Sequence, residues 1–203
     1  MQENVVILDI DYVTYEEKPV IRLFSKKGDE NIILIDDTFE PYLSELIEYV
    51  NSKKLNPSAK LMWHSTWAYA KDSTHGGFAN YGNDQQAMYS AILDAAKHIR
   101  ENHPQFTDII PSSVAITNAR EKLGDNLNRD GFHLDLTFGR LTAALTWFSK
   151  ITGADLQNIV DDTELLAICK GGVVTLKEKG VDITPEKLLE ISIKAAKDAV
   201  ENV

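Results

Sequence analysis

The rhythm of hydrophobic and polar positions changes near residue 37. Before it, short apolar runs rich in β-branched and aromatic residues fill residues 5–13, 19–24 and 32–35, with polar turns such as Lys26-Lys27-Gly28-Asp29 between them. Such runs predict an antiparallel β-meander. After it the spacing becomes helical. Leu43, Leu46, Ile47 and Val50 recur at helical intervals behind Pro41, a residue suited to a first helical turn. Residues 60–63 read as a short buried strand, followed by a polar loop rich in Gly and Asn over roughly residues 71–84. Met88, Ala91, Ile92, Ala95, Ala96 and Ile99 form one apolar stripe, which Asn83 or Asp84 can cap. Pro104 ends that helix, and residues 106–110 read as a strand. Leu141, Ala144, Leu145 and Phe148 mark another helix, stopped by Gly153. Thr184 and Pro185 open the last one, whose buried face is Leu188, Leu189, Ile193, Ala196 and Val200. Strands alternating with helices predict a parallel sheet covered by helices. The expectation is one compact α/β domain over residues 1–203.

Composition narrows the partners more than the fold. The chain has 203 residues, 43% hydrophobic and 26% charged, values ordinary for a globular protein. Its formal net charge is −10. That argues against nucleic acid and anionic membrane as partners, because phosphate attraction dominates such binding. Cys169 is the single cysteine, so no intrachain disulfide forms. The start, Met1-Gln2-Glu3-Asn4, is not basic, and Asp9 and Asp11 interrupt the apolar run behind it. It reads as a strand rather than a signal peptide or membrane span, so the chain as written is expected to be soluble and cytoplasmic.

The candidate chemistry lies in the second part. The strings Trp63-His64-Ser65-Thr66-Trp67-Ala68-Tyr69 and Asp72-Ser73-Thr74-His75-Gly76 come first. Ile110-Pro111-Ser112, Ala115-Ile116-Thr117-Asn118-Ala119-Arg120 and Arg129-Asp130-Gly131-Phe132-His133-Leu134 follow, and Gly139-Arg140 with Ala143-Ala144-Leu145-Thr146-Trp147-Phe148 closes the set. Together they make residues 38–203 resemble a bacterial family of SGNH-type hydrolases. The resemblance implies a three-layer, flavodoxin-like parallel sheet flanked by helices, with the N-terminal meander replacing the first βα units. It also implies a serine ester hydrolase acting on acyl or acetyl groups, of a small molecule or a carbohydrate, with no cofactor and no metal. Asp130 and His133 would be its catalytic acid–base pair, the carboxylate fixing the imidazole tautomer. The nucleophile of that family, a Ser in an early Gly-Asp-Ser or Gly-Asn-Ser turn, has no counterpart. Gly28-Asp29-Glu30 carries Glu in its place, and Gly82-Asn83-Asp84 suits a helix cap better than an oxyanion donor. Ser65 and Ser73, in the loop after a predicted strand, are the replacement hydroxyls to consider, and Trp67 and Tyr69 are candidates to line a cleft. His64, Asp72 and His75 lack metal-ligand spacing. His98 and His103 read as solvated.

The opening segment points elsewhere. Ile7-Leu8-Asp9-Ile10-Asp11-Tyr12, Lys18-Pro19-Val20-Ile21-Arg22-Leu23-Phe24 and Thr38-Phe39-Glu40-Pro41-Tyr42 resemble the start of archaeal family B DNA polymerases. In that family this meander belongs to the domain that senses template uracil, and Tyr12 and Pro41 fall in the pocket region. With residues 1–37 polymerase-like and 38–203 hydrolase-like, the chain reads as a chimera. Three functions follow in order: an SGNH-type esterase lacking its nucleophile, a non-catalytic α/β binding domain, and a single-stranded DNA binder.

Overall fold

A computed structural model describes residues 10–15, 18–24 and 30–34 as backbone strands, and residues 42–202 in full. Gly28, Asp29 and Pro41, and the side chain of Tyr12, lie outside the described residues. The chain divides into two units, residues 1–60 with 76–83 and residues 61–75 with 84–203.

In the first unit, β1 (Ile10–Tyr15), β2 (Lys18–Phe24) and β3 (Glu30–Leu34) form an antiparallel sheet in sequence order. The register runs from Ile10 opposite Leu23 to Tyr15 opposite Lys18, and from Val20 opposite Leu34 to Phe24 opposite Glu30. Helix α1 (Tyr42–Lys53) buries Leu43 and Ile47 and leaves Leu46 exposed. A 3-10 segment, Gly76–Tyr81, buries Phe78.

The second unit begins with β4 (Leu61–His64), α2 (Gln85–Asn102) and β5 (Phe106–Ile110). The two strands pair in parallel, Trp63 opposite Ile109 and His64 opposite Ile110. A parallel pair needs a crossover of this kind, since no tight turn can join its ends. Asp84 starts α2 by accepting the Ala87 N–H at 2.6 Å, which satisfies one of the helix's orphan donors. His103 ends it and is buried rather than solvated. Its N–H donates to the Ile99 carbonyl at 2.9 Å and its own carbonyl accepts from Phe106 N–H at 3.0 Å, so it is the turn joining helix to strand.

Four helices follow: α3 (Ser112–Leu123), α4 (Phe138–Thr152), α5 (Thr163–Glu178) and α6 (Pro185–Glu201). Their caps follow ordinary chemistry. Asp162 accepts from Glu164 and Leu165 N–H, Thr184 accepts from Lys187 N–H behind Pro185 at the first position, and Gly153 N–H closes α4 on the Ser149 carbonyl. Their apolar faces meet in one core of Ile116, Leu123, Phe138, Leu145, Leu176, Leu189 and Ile193, among others. Removing any one of the leucines would cost about 2–5 kcal/mol.

The flavodoxin-like expectation is therefore corrected. The protein is predominantly helical, and among the described residues the parallel sheet has only β4 and β5, while β1–β3 pair with one another. The reason is the period of the pattern. After residue 110, buried positions such as Ile116, Ala119 and Leu123, or Cys169, Gly172 and Leu176, recur at three to four residues. The core is built between helices and not on a broad sheet.

Candidate functional site

The ends of β4 and β5 fix the start of a surface loop. Ser65 N–H extends the parallel ladder to the Ile110 carbonyl at 3.0 Å, and Ser113 N–H donates to the Ser65 carbonyl at 2.9 Å. The Ser65 and Ser113 hydroxyls meet at 2.7 Å, and His64 Nε2 lies 3.0 Å from Ser112 Oγ. Burial holds the His64 imidazole below its ordinary pKa of 6.5. Its ring stands edge-on to Trp147 of α4 at 4.8 Å and to Trp67 at 6.3 Å between centroids.

The loop beyond Ser65 runs beside the segment between α3 and α4, and the buried guanidinium of Arg120 joins them. It donates to the Ala68 carbonyl at 2.7 Å and to Asn128 Oδ1, and its Nε pairs with Asp125 Oδ1 at 3.0 Å. Burial pulls this group below its ordinary pKa, and the Asp125 charge works in the opposite direction. Asp125 Oδ2 also accepts the Lys71 N–H at 2.6 Å. Farther along, Ala70 N–H donates to the Gly131 carbonyl at 2.7 Å and Trp67 Nε1–H to the Phe132 carbonyl at 2.9 Å. Gly131 has a φ of +89°, and a Cβ there would lie 3.0 Å from Ser73 Cα. Only glycine meets both conditions without strain.

On this braced segment Asp130 and His133 form a close pair. Asp130 Oδ1 accepts the backbone N–H of His133 at 2.8 Å and of Phe132 at 3.3 Å, and Oδ2 lies 2.8 Å from His133 Nδ1. Partial desolvation works to raise the Asp130 carboxyl. The His133 ring, the two backbone donors and the charge of His133 outweigh it and hold the group down at about 2. An ionised Asp130 makes Nδ1 the protonated nitrogen, so in the neutral ring Nε2 carries an outward lone pair. Around it the Phe132 ring lies 4.1 Å from His133 and 4.8 Å from His75, and Tyr69 lies 5.0 Å from His75, between centroids.

The residues singled out in the sequence thus fall in distinct places. Asp130 and His133 are joined and exposed. Tyr69 is half-buried in the same ring cluster, and Ser73 packs against Gly131. Trp67 is half-buried against the helical core. Ser65 is buried, with its hydroxyl on Ser113. His75 and Phe132 belong to the cluster, but His75 was weighed only as a metal ligand and Phe132 only within its motif string, because a ring in a loop gives no periodic signal. Arg120, Asp125 and Asn128 were missed for a different reason: a buried ionic brace depends on contacts across 52 residues, as between Arg120 and Ala68. A separate depression of about 260 Å³ lies between Gln157 and α6. Its Lys194 is already paired with Asp198 at 2.7 Å. Among the described residues no group of His, Cys, Asp and Glu is arranged to hold a metal, and no helix is long and apolar enough to cross a membrane.

A mainly helical unit with a βαβ start and a ring-lined loop surface is the class that fold and site define. Comparison with known proteins gives the family. The profile described as "Domain of unknown function (DUF4886)" matches residues 28–166, and the chain belongs to that family. The crystal structure of a DUF4886 family protein from Bacteroides uniformis ATCC 8492 superposes with a TM-score of 0.60 at 28% identity, covering 91% of this chain and 74% of that one. DNA polymerases of Thermococcus kodakarensis and Thermococcus gorgonarius are 51% and 49% identical to this chain over 43 residues, 21% of its length. The chain spans only 3% and 6% of those two proteins.

These findings correct the family reading from sequence: the chain is a DUF4886 protein, neither an SGNH hydrolase nor a polymerase. The serine esterase expectation falls with it. Among the described residues the broad parallel sheet is absent, and no hydroxyl is hydrogen-bonded to His133 Nε2. The Asp-x-x-His spacing creates an Asp130–His133 couple, with no nucleophile beside it among the described residues.

Proposed function

We propose that this chain is a non-catalytic binding domain whose loop surface around Asp130, Phe132 and His133 takes a carbohydrate. The observation that carries the reading is the outward Nε2 of His133, its tautomer fixed by Asp130, beside the Phe132 ring at 4.1 Å. A sugar asks for this combination. Its C–H faces carry partial positive charge and are drawn to the negative face of an aromatic ring. Its hydroxyls need oriented acceptors and donors, which Nε2 and the neighbouring Ser73 supply. A few placed polar groups on an apolar floor are the usual composition of a small-molecule site. The bracing through Arg120 supports it further, since a preformed surface loses less entropy on binding.

An NMR titration of the labelled protein with neutral oligosaccharides tests this. Binding should move the amide signals of Tyr69, Phe132 and His133, and Phe132→Ala should weaken it about threefold to tenfold, the value of one ring contact. Shifts confined to other surfaces, or an unchanged affinity in Phe132→Ala, would refute the assignment of this surface.

A further inference from the structure

The ring cluster does not end at Phe132. Its carbonyl holds Trp67 Nε1–H at 2.9 Å. Trp67 faces His64 at 6.3 Å, and His64 faces Trp147 at 4.8 Å. A row of aromatic and imidazole rings thus leads from the Asp130–His133 loop to the middle of α4. At its far end Trp147 is 39% exposed, with Phe148 and Ile151 beside it on the same helix, at 47% and 58%. A large apolar side chain left in water on a well-packed helix is a costly choice when it stands next to others. Trp147 has no part in the core of α4, which is Phe138, Leu141, Leu145 and their neighbours. The nearby Lys150 is paired with Asp108 at 2.8 Å.

Resting on the carbohydrate reading, we infer that Trp147 forms a second stacking subsite, so that the ligand is an extended oligosaccharide and not a single sugar. The loop cluster seats one sugar ring, the half-buried Trp67 and His64 make the floor between, and Trp147 seats another. Continuity of the row favours this occupant over a second copy of the chain, which the net charge of −10 repels. Each subsite alone is weak. Joined by the ligand's own covalent chain, the second engages at high effective concentration.

The test is affinity against chain length, by calorimetry on the full chain, with cello-, malto- and xylo-oligosaccharides of two and six residues as probes. In the series that binds, the hexamer should bind at least about tenfold tighter than the dimer. Trp147→Ala should remove that advantage, and Trp147→Phe should restore part of it. Phe132→Ala should weaken both lengths. Equal affinities for the two lengths, or a hexamer advantage that survives Trp147→Ala, would overturn the inference while leaving the binding domain standing. Sedimentation showing a dimer that Trp147→Ala dissociates would also overturn it, by assigning the stripe to self-association. No binding in any series would overturn the carbohydrate reading itself and this inference with it.

Discussion

At the scale of single residues, Asp130 has the clearest electrostatic consequence. Its folded value of about 2 lies below the ordinary 3.8, so between those values the folded chain keeps the anion that the unfolded chain protonates. The resulting stabilisation is complete above 3.8 and is lost as pH falls through 2. Carbon-detected NMR titration of the Asp130 carboxyl should show a midpoint near 2, and a midpoint at the ordinary value would mean the His133 bonds do not form in solution. The same pair makes a prediction about chemistry. With no hydroxyl at Nε2 among the described residues, short p-nitrophenyl esters should not be turned over above the buffer rate. A rate that disappears in His133→Ala would contradict this. The three-residue spacing makes the contact of carboxylate and ring legible in the sequence, because the turn is local. Whether anything faced the ring was set by segments far away in the chain.

At the scale of elements, glycines hold the site's loops in place. Gly131 reverses the backbone against Ser73, and Gly139 lets the first turn of α4 approach the Leu127 carbonyl, where a Cβ would come within 2.7 Å. Gly131→Ala should lose about 1–3 kcal/mol through the positive φ and the clash together, read as a lowered urea midpoint. A substitution that leaves the midpoint in place would mean this close approach is absent in solution. The helices were legible where capping and period agree. Asp84, Thr184 with Pro185, and Gly153 mark ends that the structure retains. Helices α3 and α5 were not marked out. α3 starts behind Pro111 with no side-chain cap and carries Ser112 and Ser113 on its buried side, and α5 has Gly171-Gly172 in mid-helix. Polar and small residues on a buried face erase the hydrophobic stripe that reveals a helix, while the same residues permit close packing.

At the scale of the whole molecule, the strand and helix alternation of residues 60–110, joined to the hydrolase resemblance, pointed to a flavodoxin-like sheet, and this is what the structure overturns. One βαβ unit is present, but its continuation is helix on helix, with α6 buried through Leu188, Leu189, Ser192, Ile193, Ala195, Ala196 and Ala199. Local periodicity cannot say which layer a helix packs against. The motif strings from Trp63 to Phe148 were nevertheless informative, because those over residues 67–69 and 129–134 fall in loops that the structure brings together.

The Arg120 brace has a consequence for how that surface opens. Two loops distant in sequence hang from one buried guanidinium, so neither can leave without breaking bonds of the other. The amide protons of Ala70, Lys71 and Arg129 should then exchange with solvent in one cooperative step, with matching protection factors. Arg120→Lys keeps the charge but loses the planar fork, and should lower all three protection factors together. Protection lost at Arg129 alone would mean the loops open separately.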